Sequence, residues 1–272
     1  MSAAPRRFPL SLERLGGAAA TERGAARALL RPQVPLQQAA RDAARRVVPS
    51  GLGLDSAAVR QRMVARLQAG GLADERVLAA LSEVARHVFV DAALVNQAYE
   101  DTSLPIGHGQ TISKPSVVGR MIALLAQGAS ARASGSLGRV LEIGSGCGYQ
   151  AALLARLGQA VWSIERLRPL HDKARAHLQA LRETRVRLLH GDGMLGHAGA
   201  APYDSIIAAA GGEALPQAWL DQLAPGGRLV APVRRPGPQG RQVLVIVDRN
   251  DNGLQHSEAE SVHFVPLKPG WV

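Results

Sequence analysis

The stretch Val140-Leu-Glu-Ile-Gly-Ser-Gly-Cys-Gly-Tyr-Gln150 decides how the rest of the chain is read. Val140 to Ile143 is apolar apart from Glu142, which is the pattern of a buried strand. Gly144, Gly146 and Gly148 follow at every second position, and Tyr149-Gln-Ala-Ala-Leu-Leu-Ala155 then opens a run of good helix formers. Strand, glycine turn and helix make half of a nucleotide-binding βαβ unit. Lacking Cβ atoms, the glycines let a ligand approach the backbone. The helix start offers unpaired N–H groups to polar ligand atoms. The dinucleotide fingerprint G-x-G-x-x-G does not fit, because Tyr149 stands in its last position. The pattern is acidic-x-G-x-G-x-G, with Glu142 as the acid.

That pattern resembles motif I of the S-adenosylmethionine (SAM) methyltransferases. The residues downstream support a ligand site. Ala160-Val-Trp-Ser-Ile164 reads as a second strand ending in Glu165, 21 positions after Gly144. An acid about 20 residues past the first glycine is where an acceptor for ribose hydroxyls belongs. The plain alternative is an ordinary acid at a strand end. Pro169 opens a helix to about Arg182, and Val186-Arg-Leu-Leu-His190 is a third strand followed by Gly191-Asp192-Gly193. A carboxylate there can accept from an adenine amino group, or simply form an Asp-Gly turn. Further strands are expected at Tyr203–Ala210 and Arg228–Val233, with a short helix from Pro216 to Leu223. Gln242–Asp248 and Ser261–Val265 are expected to close the chain as an antiparallel pair joined through Asp251-Asn-Gly253. The alternation implies an α/β fold: a Rossmann-like, mostly parallel central sheet with helices on both faces and a C-terminal antiparallel hairpin. Ligands in such sheets lie beyond the strand C-termini, where Glu142, Glu165 and Asp192 fall.

Upstream, Val59, Met63, Val64 and Leu67 recur at helical spacing over Ser56–Gln68, and Gly70-Gly71 ends that helix. Asp74 caps a second helix carrying Val77, Leu78, Leu81 and Val84 on one face. His87 has no metal partner at ligand spacing. Ala98 to Ser116 reads as a long polar loop leading to a helix that runs to about Gln127, with Pro115 in its first turn. Ser113 sits at or near the N-cap of that helix, so capping is its plain reading. Gly128 to Gly138 reads as a small-residue linker, and Trp162 and Trp219 as packing residues.

Composition bounds the rest. The chain has 272 residues, 46% of them hydrophobic, enough for a sizeable core. No apolar run approaches the ~20 residues of a membrane span. Cys147 is the single cysteine, so neither an internal disulfide nor a cysteine-type zinc site can form, and no other metal-ligand spacing appears. Net charge is +10, and residues 1–50 hold nine arginines against three acids, a surplus of +6. Residues 1–55, rich in Arg and Ala, are expected to be a disordered extension. They lack the continuous apolar core expected of a secretory signal. Met63 opens the organised sequence, so a displaced start codon is an alternative reading. The domain proper is expected over 56–272, with helices and a substrate loop over 56–138 and a Rossmann-like core over 139–272.

At this point the chain resembles the protein-L-isoaspartate O-methyltransferase family, from about Met63 to the C-terminus. The most specific part is Leu104-Pro-Ile-Gly-His-Gly-Gln-Thr-Ile-Ser113 with Pro115, which generic SAM enzymes lack. Val140-Leu-Glu-Ile-Gly144, Gly148-Tyr-Gln150, Ser163-Ile-Glu-Arg166, Gly191-Asp-Gly193 and Phe264-Val-Pro-Leu267 concur. The resemblance implies methyl transfer from SAM to the α-carboxylate of L-isoaspartyl residues in damaged proteins, initiating repair. It maps the family's active-site serine onto Ser113. It implies cofactor contacts from Glu142, Gly144, Ser145, Gly146, Tyr149, Gln150, Glu165, Arg166, Asp192 and Gly193. The substrate loop is Ile106, Gln110, Thr111 and Ile112. No metal is implied. The partners implied are isoaspartyl peptides and proteins, with a monomeric, cytoplasmic enzyme and no membrane. Lys114 stands where the family often has glutamine, and Ala208-Ala-Ala-Gly-Gly212 replaces a proline-ended strand, which is expected to loosen a loop near the substrate. Alternatives are a SAM methyltransferase for a small carboxylic acid or RNA, a nucleic-acid binder driven by the arginine tail, and an NAD enzyme.

Overall fold

Two short strands, β1 Leu104–Gly107 and β2 Gln110–Ile112, pair with each other, and seven more build the central sheet. The seven are β3 Arg139–Ile143, β4 Ala160–Glu165, β5 Val186–His190, β6 Tyr203–Ala208, β7 Leu223–Arg234, β8 Gln242–Asn250 and β9 Gly253–Val262. They lie in the order β5-β4-β3-β6-β7-β8-β9. The structure is a computed structural model that describes residues 57–236 and 241–272, so the expected extension over 1–55 lies outside the described residues. Strands β3 to β7 pair in parallel, while β7–β8 and β8–β9 are antiparallel. The expected α/β architecture is the one observed.

Period-2 alternation sorts the sheet's side chains onto two faces. Val140, Val161, Ile207, Val230 and Leu244 join one core, while Leu141, Trp162, Ile206, Leu229 and Val245 join the other. The helices α1 Ala57–Ala69, α2 Glu75–Glu83, α3 Pro115–Ala126, α4 Ala129–Ser134, α5 Tyr149–Leu157 and α6 Arg168–Ala180 give most of their buried apolar residues to the first core. The second face is covered by the five-residue α7, Gln217–Asp221, through Trp219 and Leu220, and by short 3-10 turns. Trp219 is buried, and its indole N–H donates to Gly193 O at 2.8 Å. Asp74 caps α2 as expected, accepting from the Arg76 and Val77 amides.

Four expectations need correction. The loop at 98–116 holds the antiparallel β1–β2 hairpin, turned through Gly107, His108 and Gly109, all at positive φ. Its strands are too short and too punctuated by Pro and Gly to show a period. The linker at 128–138 contains α4, whose alanines and serines carry no apolar pattern. The last strand starts at Gly253, not Ser261, because an edge strand exposed on both faces shows no alternation. Finally, Ser113 is near the N-cap as expected but does not cap the helix: the cap residue of α3 is Lys114, one position later.

Candidate active site

The glycine turn is built as its spacing demands. Gly144, Gly146 and Gly148 take φ of 90°, 54° and 90°, a region that L side chains rarely adopt. A Cβ on Gly146 would also meet Ile106 Cδ1 at 3.2 Å, so the β1–β2 hairpin closes directly over the turn. Glu165, 5% exposed at the end of β4, fixes the turn from the other side. Its Oε2 accepts from Gly146 N and its Oε1 from Leu167 N, both at 2.9 Å. Each oxygen keeps a further lone pair, so the carboxylate can still accept from two ligand hydroxyls.

A cavity of about 490 Å³ opens beyond these strand ends. Gly144, Gly146, Glu165, Arg166 and Gly193 line one part of it, and Ile106, Gln110, Thr111 and Ser113 another. Ser113 is half-buried, and its hydroxyl makes no hydrogen bond to any described residue. The cavity thus brings nine of the expected site residues together. Among the described residues no group of three or more His, Cys, Asp or Glu could hold a metal.

The other expected residues stand behind the wall. Ile112 is buried in the core under the hairpin. Glu142 is fully buried, with Oε2 accepting from the Ser163 hydroxyl, which in turn pairs with the Ser145 hydroxyl. Burial raises the Glu142 carboxyl to a pKa of about 8, opposed by the Ser163 and Gln150 side chains. It therefore keeps its proton at neutral pH and braces the turn from below. Tyr149 is buried under the Arg86 guanidinium, 5.0 Å from its ring, and meets Phe89 edge-on. Gln150 is buried beside it. Asp192 is held at both oxygens, Oδ1 by Met194 N at 2.8 Å and Oδ2 by Gly270 N at 2.7 Å.

Part of the wall comes from two stretches that were noted in the sequence but not assigned to the site. Val265, Pro266, Leu267 and Lys268 line the cavity with Ala209 and Ala210. The Gly211-Gly212 pair is not loose. Gly211 N donates to Val265 O and Leu267 N to Gly211 O, both at 2.9 Å, and Arg234 N donates to Gly212 O at 2.8 Å. A Cβ on Gly211 would strike the Gln242 amide at 2.5 Å, so the glycine permits this close docking. Gln242, a buried amide, clamps the Phe264 backbone at both ends, a contact that no local pattern in the sequence reveals.

The site's chemistry suits SAM: a close-approach glycine turn at a helix start, a carboxylate for hydroxyls, and apolar Ile143, Ile164 and Leu170 for flat or aliphatic parts. Fold and site together define a Rossmann-like, SAM-dependent methyltransferase. Residues 58–270 match the family described as Protein-L-isoaspartate(D-aspartate) O-methyltransferase (PCMT). A Methylibium petroleiphilum protein-L-isoaspartate O-methyltransferase is 60% identical over 274 residues, 99% of each chain, a match that takes in the N-terminal segment. One from Leptothrix cholodnii is 59% identical over 88% of this chain and 84% of its own. A solved protein-L-isoaspartate O-methyltransferase is 27% identical with a TM-score of 0.67, over 76% of this chain and 65% of that one. A Plasmodium falciparum structure assigned to the same methyltransferases, with S-adenosyl-L-homocysteine bound, shares the fold at 23% identity and a TM-score of 0.63, over 77% of this chain and 98% of that one. The chain belongs to the protein-L-isoaspartate(D-aspartate) O-methyltransferase family and is a SAM-dependent enzyme.

Proposed function

We propose that the enzyme methylates the free α-carboxylate of L-isoaspartyl residues in peptides and proteins, and that the Ser113 hydroxyl orients that carboxylate. One observation carries this reading: Ser113, with its hydroxyl uncommitted, opens onto the same cavity as Gly144, Gly146 and Glu165. SAM supplies a methyl group already activated on a sulfonium.

The remaining work falls to the protein. An α-carboxyl group has a pKa of about 3.3–3.7, so it arrives as an anion and needs no general base. The absence of a His or Cys partner at Ser113, among the described residues, is therefore consistent with the chemistry. What is required is alignment of the carboxylate oxygen with the methyl carbon and exclusion of water, and alignment alone can supply up to ~7–11 kcal/mol of a barrier. Glu165 would accept from the cofactor's ribose hydroxyls. Glu142 and Ser145 would hold the glycine turn in shape, Arg166 would border the adenine end, and Asp192, engaged by Met194 N and Gly270 N, would support that end from behind the lining. Methyl esterification then primes the substrate for closure to a succinimide and repair. A cytoplasmic setting suits the single buried thiol of Cys147. Among the described residues no helix is long and apolar enough to cross a membrane.

The test is Ser113→Ala. Turnover should fall ~10–100-fold, about 1.4–2.8 kcal/mol of lost positioning, with S-adenosyl-L-homocysteine affinity within about twofold of the parent. Lost cofactor affinity with intact turnover of the bound complex would remove the orienting role.

A further inference from the structure

A second cavity, of about 730 Å³, lies between α1, α3 and the β8–β9 hairpin. Its floor is apolar, formed by Met63, Leu67, Leu72, Val117, Leu244 and Val262. Its rim is polar and charged. Arg120 pairs with Glu260 at 2.9 Å, and the Asp101 carboxylate accepts from the Ser116 amide and hydroxyl at 2.9 and 2.8 Å. None of these residues belongs to the methyl-transfer site described above.

Three chain segments contribute to the linings of both the groove and that site. Asp101 lines the groove and Ile106 the active-site cavity. Ser116 lines the groove and Ser113 the cavity. Val262 lines the groove and Val265 the cavity. Each segment passes from one to the other in three to five residues. At ~3.3 Å per extended residue the two three-residue segments span ~10 Å at most, so about three or four residues of extended polypeptide can reach from one lining to the other.

We propose that this groove is an extended subsite for the polypeptide flanking the methylated residue, taking an apolar side chain three or four positions away from it. The proposal rests on the reading of the substrate as an isoaspartyl residue within a protein chain. Such a chain must leave the Ser113 cavity on both sides of the reacting residue. The groove offers one exit an apolar floor at the right reach, with polar groups along the rim for the backbone. Burying one Leu-sized side chain there supplies enough free energy for about a tenfold preference. The groove therefore gives the enzyme a preference for damaged sites with an apolar residue at that spacing.

The experiment uses the full chain and three isoaspartyl peptides. One has two residues on each side of the isoaspartate. The second extends it by six residues on each side, with Leu at the third and fourth positions out. The third carries Ala in place of those leucines. The Leu peptide should exceed both others about tenfold in kcat/KM. Ser261→Trp, at an exposed groove position on β9, should abolish that advantage while leaving the short peptide's kcat/KM and the S-adenosyl-L-homocysteine Kd unchanged. If the wild type shows no advantage, or if it survives Ser261→Trp, the proposal is overturned while methylation of the short peptide keeps the activity. A change of oligomeric state in Ser261→Trp without an effect on the peptides assigns the groove to a second copy and likewise overturns it. If even the short peptide is not methylated, it is the reading of the substrate that fails.

Discussion

Replacing Glu165 with alanine attacks the cofactor site at one carboxylate. The side chain is 5% exposed, borders the cavity, and accepts from Gly146 N and Leu167 N at 2.9 Å each. Two losses are expected. The first is to the ligand. Hydrogen bonds to a charged acceptor contribute ~1.5–3 kcal/mol each, and two ribose hydroxyls sharing one carboxylate give less than twice that. A loss of ~2–4 kcal/mol raises Kd ~30–1000-fold. The second is to the fold. Two N–H groups lose their acceptor, and water entering the cavity can satisfy them only in part. A cost of about 2 kcal/mol lowers Tm by ~4–8 °C. Glu165→Gln separates the two. Its amide oxygen can still accept one N–H, but its NH2 group must face the other donor, so affinity should fall between wild type and alanine. Titration calorimetry with S-adenosyl-L-homocysteine measures Kd, and thermal unfolding checks that the variant is folded. A folded Glu165→Ala enzyme with Kd within about threefold of the parent would refute the assignment.

Two further outcomes concern the buried groups. Glu142 has its folded pKa raised from 4.5 to about 8, so between those values the unfolded chain releases a proton that the folded one keeps. Stability therefore falls as pH rises through this window, by at most ~1.4 kcal/mol per pH unit, and levels off above about 8. Denaturant titrations from about pH 5 to 9 should show this slope in the wild type and a flatter profile in Glu142→Gln, and equal slopes would remove the buried-acid account. The second concerns Arg228, which grips Asp248 through both carboxylate oxygens at 2.7 and 2.8 Å and donates to Leu124 O at 2.9 Å, tying α3 to the β7–β8 pair. With side-chain exposures of 16% and 29%, this pair is sheltered from solvent, so Asp248→Ala should cost about 2 kcal/mol in chemical denaturation. A cost under about 0.5 kcal/mol would class it with ordinary surface pairs.

The sheet was legible because its strands obey simple rules. Val140–Ile143, Ala160–Ile164 and Tyr203–Ala208 are apolar runs bounded by glycine, proline or acids, and helices at 3.6-residue spacing separate them. The glycine turn and the position of Glu165 at the end of β4 were legible because a close-approach turn after a strand demands particular residue types at particular spacings. The elements that were missed have no local period. The β1–β2 hairpin is held by a left-handed turn at residues 107–109, α4 is built from alanine and serine, and β9 gains its strand character from pairing with β8. The Val265–Lys268 wall could not be placed, because it reaches the cavity by pairing with Gly211, more than fifty positions upstream. Glu142 was expected to touch the ligand. Its position at the strand end is plain in the sequence, but not the Ser163 hydroxyl that turns the carboxyl beneath the loop.

The most direct test of the central claim uses methyl-labelled SAM and two peptides identical except for L-isoaspartate or aspartate at one position, with base-labile label counted as released methanol. Label on the isoaspartyl peptide alone is the expected result. No label on either peptide, with S-adenosyl-L-homocysteine still bound, would contradict the account and leave a methyltransferase of another acceptor.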